Sequence, residues 1–162
     1  MLVGERPKLG SFSSIVCLKS LIVGVEETLG PQATEIALVA AGRSRGKRLA
    51  EELGIVSSPV DLNELATKMA QALGENGTRL CLIEKIVQEG EVIKVYTSET
   101  VCSSGEPQGS PRKCTFTLGA VWGALENVLD KRLDGKHTES VLRGGKYDVF
   151  EFKPKWSFNA EP

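Results

Sequence analysis

Apolar side chains recur at helical spacing near the start of the chain. Between residues 13 and 29 they stand three or four positions apart, which predicts an amphipathic helix ended by Gly30 and Pro31. The residues of this stripe are Ile15, Leu18, Ile22, Val25 and Leu29. A second helix is predicted over 32 to 53, where the apolar stripe is rich in alanine, so a neighbouring backbone can approach it closely.

The middle of the chain changes from helical to strand periodicity. Asp61 and Glu64 have the spacing of a capping box and begin a third predicted helix, 60 to 73. The segments 79 to 87 and 92 to 97 are rich in isoleucine, leucine and valine. They flank a short polar turn that contains glycine, and together they predict a hairpin.

A long helix with two internal glycines is predicted over 115 to 133, ending near Gly135, after an exposed and mobile loop at 99 to 113. Gly119 and Gly123 each cost about 1 kcal/mol in a helix interior. They therefore need a packing reason. Close approach of another helix would supply one, and room for an elongated ligand would supply another.

Two further short strands are predicted at 137 to 142 and 147 to 152, followed by a tail in which only Trp156 and Phe158 offer apolar anchors. The resulting expectation is an α/β (α+β) fold in which four main helices pack on a small antiparallel sheet. At 162 residues we expect a single domain, 1 to 162, with its core at about 13 to 153.

Charge and hydropathy exclude several classes of partner. The 20 basic and 21 acidic residues give a formal net charge of −1, which provides no general attraction to nucleic acid or anionic lipid. The first residues lack the pattern of a secretory signal, and no later segment has the length and hydropathy of a transmembrane helix. We therefore expect a soluble cytoplasmic protein without a nucleic-acid partner.

The four cysteines form no Cys-x-x-Cys pair and are interpreted as reduced thiols, with Cys17 and Cys81 as small core residues. Cys102, Cys114 and the only histidine, His137, could be imagined as zinc ligands, but their spacing matches no zinc finger. His137 follows the predicted long helix, where the helix dipole favours a cation. We predict neither a metal site nor a cofactor.

A basic cluster lies in the second predicted helix. Residues 42 to 48 read Gly-Arg-Ser-Arg-Gly-Lys-Arg, which resembles a phosphate-binding run but lacks the preceding strand and the order of a P-loop. A solvated helix face is the favoured interpretation, and an anion site is the alternative. The carboxylates on the predicted polar faces do not suggest paired acid and base catalysis, so no catalytic residue is predicted.

The long helix also carries a family resemblance. Residues 114 to 126 read Cys-Thr-Phe-Thr-Leu-Gly-Ala-Val-Trp-Gly-Ala-Leu-Glu and resemble the Gly-x-x-x-Gly-Ala-Leu-Glu helix of the palmitate-binding TRAPP subunit. Val-Leu-Arg-Gly-Gly at 141 to 145 and the following strand are similar to that family too. With its order of elements, the chain resembles the fold shared by core subunits of the TRAPP vesicle-tethering complex, vinyl-4-reductase domains and haem nitric-oxide-binding domains.

The chain departs from these relatives at their modified residues. Ser57, Ser58 and Pro59 stand where the TRAPP subunit has its acylated cysteine, and 147 to 152 lack the late cysteines of vinyl-4-reductase domains. Nothing matches the haem-ligating histidine. The resemblance implies a non-catalytic binding or scaffold module; the alternatives are an accessory factor or enzyme of tetrapyrrole or aromatic metabolism, and a structural subunit without a ligand.

Two functional surfaces are predicted from these patterns. The apolar stripes of the first two helices exceed what a small sheet can cover, so they are expected to form a homodimer. An apolar pocket for a small hydrophobic molecule is expected between the first helix and the long helix. Its predicted residues are Cys17, Leu21, Val25, Gly119, Trp122, Gly123 and Glu126.

Overall fold

A computed structural model describes residues 6–57 and 59–156 of the protein. Its helices are α1 (Ile15–Leu29), α2 (Pro31–Glu52), α3 (Leu62–Leu73) and α4 (Thr115–Leu129). Its strands are β1 (Leu82–Glu89), β2 (Val92–Ser98), β3 (Leu133–Glu139) and β4 (Asp148–Pro154), and a short 3-10 helix, Val141–Arg143, lies between β3 and β4. In the described part of the chain, no helix has the length and hydropathy needed to cross a membrane.

The strands form one antiparallel sheet in the order β1-β2-β4-β3. Side chains alternate between its two faces, and Phe150 and Phe152 of β4 are fully buried beside Val95 and Ile93 of β2. The same alternation places Asp148 on the buried side of the sheet, opposite Thr97. Four helices with a four-stranded antiparallel sheet confirm the predicted α+β class.

The core lies between the sheet and the helices α3 and α4. Leu65 and Met69 of α3 and Val121 and Leu125 of α4 are fully buried in one cluster with the strand residues. On its other side α4 packs along α2, which is the most extensive contact between helices. Helix α1 has a smaller contact with α2, and Ile22 is its only buried residue.

The boundary between α4 and β3 differs from the prediction. Helix α4 ends at Leu129, because Asp130 adopts a left-handed conformation with φ of 49° and turns the chain away. Strand β3 then begins at Leu133, inside the segment predicted to be helical. Gly135 belongs to the strand: a Cβ there would lie 2.8 Å from the rings of Phe152 and Trp122.

The segment 99–113 was expected to be an exposed loop; it contains no helix or strand and is exposed at 104–105 and 107–109, but part of it is buried. Val101, Cys102 and Ser110 are buried. The backbone N–H of Gly109 donates to the carbonyl of Leu142 at 2.7 Å, so the segment is tied to the 3-10 helix. Of the predicted tail anchors, Trp156 is 74% exposed, and Phe158 lies outside the described residues.

Candidate ligand-binding site

The glycines of α4 lie against the backbone of α2. A Cβ at Gly119 would overlap the carbonyl oxygen of Val39, and a Cβ at Gly123 would lie 2.8 Å from the Cα of Arg43. Helix α2 also has glycines in this contact: a Cβ at Gly46 would lie 2.7 Å from the backbone nitrogen of Ala124. Helix packing therefore accounts for Gly119 and Gly123, which is one of the two reasons left open by the sequence.

Trp122 and Glu126 belong to the same contact. The Trp122 Nε1–H donates to Glu126 Oε1 at 3.2 Å and to the carbonyl of Leu133 at 3.0 Å. Arg43 lies 4.6 Å above the indole ring and forms an ion pair with Glu126 at 2.7 Å. Burial would raise the pKa of Glu126, but hydrogen bonds from the Leu133 N–H and from Arg43 outweigh it and lower that pKa. These two side chains thus join α4 to α2 and β3.

The three α1 residues of the predicted pocket lie elsewhere. Cys17 and Leu21 line a groove of about 610 Å³ between α1 and the segments that carry Leu80 and Val101. Val25 lies one turn further along α1 and is half-buried. The structure therefore brings Cys17 and Leu21 together, while the four predicted α4 residues take part in the α2 contact. Binding at these seven residues stays a prediction.

The groove is mostly apolar. Phe12, Ile15 and Leu18 complete its α1 side. The guanidinium of Arg79 lies 5.1 Å from the centre of the Phe12 ring and adds a cation to the rim. The volume falls within the range of about 300 to 1,000 Å³ that is typical of small-molecule sites. The sequence expected Cys17 to be a core residue; it is exposed, because α1 rests on the body of the protein by only part of its surface.

A second cavity of about 440 Å³ lies beside the C-terminal half of α1 and has more charged side chains in its walls. Its walls include Glu26 of α1, Glu35 of α2 and the loop residues Arg112 and Lys113. Arg112 forms ion pairs with Glu26 and with Glu106, and Lys113 is 3.2 Å from Glu35. The charged side chains of this cavity are thus paired with one another.

A buried polar cluster lies where β4 begins. The Asp148 carboxylate accepts hydrogen bonds from Thr100 and Ser103, each at 2.8 Å. His137 accepts the Cys114 N–H at Nδ1, so its Nε2 carries the proton and faces Asp148 at 3.2 Å. Burial would raise the pKa of Asp148, but the hydrogen bonds from His137, Thr100 and Ser103 hold it at about 2. The carboxylate is thus charged, and hydrogen bonds compensate its burial.

This cluster corrects two interpretations of the sequence. Cys102 and Cys114 form a disulfide rather than two reduced thiols, because the start of α4 packs beside the turn after β2. Their sulfurs and the Asp148 carboxylate lie within 4.8 Å of one another, but a disulfide offers no thiolate to a metal. His137 belongs to β3, and its ring accepts the N–H of Cys114, just before the first residue of α4. It therefore does not lie at the C-terminus of a helix, and the helix dipole does not account for its position.

Other predicted features are reassigned by their contacts. Cys81 is buried, as expected, and burial together with Asp148 raises the pKa of its thiol to about 12. In the basic cluster of α2, Arg45 pairs with Glu52 and Arg43 pairs with Glu126, while Gly42 and Gly46 face α4. The second pair of glycines, four residues apart, was the sequence signal for the α2–α4 contact.

No protein family model and no curated protein sequence matches the chain. Similar solved structures do exist. The phenol-responsive sensory domain of the transcription activator PoxR, solved with phenol, is 14% identical with a TM-score of 0.69, covering 89% of this chain and 76% of that one.

Two further structures share the fold. A trafficking protein particle complex subunit 3 from Naegleria fowleri, covalently bound to palmitic acid, is 14% identical with a TM-score of 0.57, covering 88% of this chain and 95% of its own. A vinyl-4-reductase family protein from Methanocaldococcus jannaschii is 18% identical with a TM-score of 0.51, covering 91% of this chain and 85% of its own. The chain therefore has the fold of these TRAPP, vinyl-4-reductase and sensory domains.

Proposed function

We propose that the protein is a non-catalytic, homodimeric binding module that takes a small apolar molecule in the groove beside α1. The observation that carries this proposal is the groove itself, whose apolar wall includes Leu18 and Leu21 of a helix that is otherwise poorly covered. Neighbours of the same fold support the ligand class, since one was solved with phenol and another with palmitic acid. A cytoplasmic location belongs to the same proposal.

The exposed surface of α1 supports the dimer. Val16 and Leu21 are 68% and 63% exposed, and Ile36 of α2 is 74% exposed. A shallow surface along α1, from Ser20 to Leu29, is lined by uncharged side chains, and a Cβ added at Gly24 would meet no atom within 4 Å. A second copy can present the same uncharged surface without like-charge repulsion, as a two-fold interface requires.

A catalytic role is not part of this proposal. The His137–Asp148 pair has the residue types of an acid–base couple, yet these side chains are 4% and 0% exposed. Both are engaged with backbone and hydroxyl groups of their own cluster. They serve to join β3, β4 and the start of α4.

Native mass spectrometry and sedimentation velocity of the purified protein test the proposal. We expect a dimer mass and a retained or added apolar molecule, with cis-parinaric acid as the fluorescent probe. Leu21→Glu should give a monomer that no longer binds the probe, because the charge falls within the groove and on the exposed face. Val56→Glu is the matched control, since Val56 is 43% exposed beside Ser57, which bonds to Asn127 near the end of α4.

The outcomes separate the three functions considered from the sequence. A wild-type monomer that binds no probe would contradict both parts of the proposal and would favour a structural subunit that needs another protein. Turnover of an added aromatic or tetrapyrrole compound would instead favour the enzyme alternative. A dimer that binds no apolar probe would support the scaffold part of the proposal and contradict the ligand-binding part.

A further inference from the structure

The disulfide closes a loop that lies against α1. Cys102 follows β2 and Cys114 directly precedes α4, with a separation of 12 positions. The bond therefore joins the two ends of the segment 103–113, which contains no helix or strand. Backbone and side-chain bonds from Gly109 and Arg143 hold the middle of this segment to the 3-10 helix.

Polar contacts from the disulfide-closed loop are a main attachment of α1. Lys19 of α1 donates to the carbonyls of Val101 and Cys102 and lies 3.0 Å from Glu106. Glu26, two turns later, pairs with Arg112. Arg112 also pairs with Glu106, so the contacts form one network. Because most apolar side chains of α1 are not buried, this network has a large share in holding the helix.

We propose that the Cys102–Cys114 disulfide is a reversible redox latch that controls how firmly α1 is held to the rest of the protein. A dithiol supplies two electrons and two protons: the S–S bond breaks, two Cys S–H groups form, and the dithiol becomes a cyclic disulfide. The loop then loses its covalent closure at the point where Lys19 is bound. The attachment of α1 loosens, while the sheet and the α2–α4 contact remain.

The surroundings of the sulfurs can hold two thiols once the bond is reduced. Cys102 and Cys114 are 5% and 1% exposed, so a reductant reaches them through local opening of the loop. Thr100 Oγ1 lies 3.2 Å and 3.5 Å from the two sulfurs and donates its own proton to Asp148. Its lone pairs can accept S–H groups after reduction. Cys81 does not compete, because its thiol stays protonated.

The segments joined by the disulfide also form part of the walls of the two cavities beside α1. Val101 lines the apolar groove, and Arg112 and Lys113 line the second cavity, beside the C-terminal half of α1. Opening the disulfide therefore loosens one wall of each. This consequence for ligand binding rests on the function proposed above, whereas the effect on α1 itself does not.

Amide hydrogen exchange of the full chain tests the latch. The protein is equilibrated with oxidised glutathione or with dithiothreitol, and alkylation followed by mass spectrometry reports the state of each cysteine. On reduction we expect exchange in α1 and in 103–113 to accelerate by about tenfold or more, with β2, β4 and α3 unchanged. In parallel, cis-parinaric acid should bind more weakly to the reduced form.

Variants keep the result decisive. Cys102→Ser should show the fast exchange under both conditions. Cys17→Ser, which removes the exposed thiol of α1, should show the same change in amide exchange on reduction as the wild type. Probe binding is not compared in this variant, because Cys17 lines the groove. Glu106→Gln should release α1 with the disulfide intact, because it weakens the links to Lys19 and Arg112.

Three results would overturn the proposal. The first is a disulfide that does not form under oxidising conditions, and the second is α1 exchange that is equal in both redox states. The third is faster exchange throughout the sheet on reduction, which would make the bond a global staple. Absence of probe binding in both states would count against the proposed ligand function and would leave the exchange result to decide the latch.

Discussion

At the scale of single residues, Asp148 shows how a charge is kept in the core of this protein. Its side chain is fully buried, yet it accepts hydrogen bonds from Thr100 and Ser103 and faces the protonated Nε2 of His137. A buried carboxylate costs free energy unless such partners are present. The partners come from the turn after β2 and from β3, so Asp148 joins parts of the chain that are distant in sequence.

The folded-state pKa of Asp148 is about 2, against 3.8 for the free side chain. A carboxylate with a depressed pKa stabilises the fold above pH 3.8, and that contribution is lost as the pH falls towards about 2. Asp148→Asn removes the titration, so we expect a shallower loss of the free energy of unfolding across this window. At neutral pH the variant should be less stable by about 2 kcal/mol, because part of the hydrogen bonding is lost.

Urea denaturation at a series of pH values measures both effects. The free energy of unfolding of the Asp148→Asn variant should still depend on pH in acid, because Glu106 also titrates there. Burial would raise the pKa of Glu106, but hydrogen bonds from Lys19, Ser110 and Arg112 lower it to about 2. Glu106→Gln with Asp148 intact is the companion variant. An unchanged acid slope in Asp148→Asn would show that the buried carboxylate does not titrate as inferred.

At the scale of elements, the α2–α4 contact depends on four glycines. Gly42 and Gly46 face α4, and Gly119 and Gly123 face α2, with backbone atoms where a Cβ would stand. The helices can approach this closely because side chains are missing on both surfaces. Beside these glycines, Arg43 pairs with Glu126 and lies over the ring of Trp122.

Gly46→Ala should destabilise the protein by about 3 kcal/mol, since its Cβ would meet the backbone of Ala120 and Ala124 and two helices would have to separate. Gly24→Ala is the matched control in α1, where a Cβ meets no atom within 4 Å. Because Gly24 lies on the proposed dimer surface, both changes are made in the Leu21→Glu background, which is expected to be monomeric. Gly24→Ala should be neutral or stabilising by up to about 1 kcal/mol, because alanine favours the helix. Thermal and urea denaturation measure the difference, and equal effects of the two changes would contradict the packing argument.

At the scale of the whole molecule, α1 has an exposed apolar face that another copy of the chain can cover. If the dimer forms there, association and folding are linked, and the midpoint of thermal unfolding must rise with protein concentration. We expect a rise of a few degrees across the micromolar range for the wild type. Leu21→Glu should show a midpoint that does not depend on concentration.

Differential scanning fluorimetry at several concentrations makes this measurement. Val56→Glu should behave as the wild type, because it changes an exposed apolar residue beside the end of α4. A wild-type midpoint that is independent of concentration, together with a monomer mass, would contradict the proposed interface.

Local patterns of the sequence were enough to predict the four helices, the hairpin and the α+β class. Stripes spaced three and four residues apart and alternating β-branched residues depend on near neighbours in the chain. They misjudged the junction at Asp130, where a left-handed residue stops α4 and Leu133 starts β3, because leucines at both positions 129 and 133 continue a helical spacing.

Tertiary structure alone decided what those elements do to one another. Three contacts join residues that lie apart in sequence. Cys102 is bonded to Cys114, Asp148 is buried beside His137, and Gly123 packs against the backbone of Arg43. Gly119 and Gly123 indicated a close approach, but only the crossing of α2 and α4 shows what approaches them. The sequence thus determined the helices and strands through local spacing, whereas the groove, the buried charge and the disulfide follow from the three-dimensional packing that brings distant side chains together.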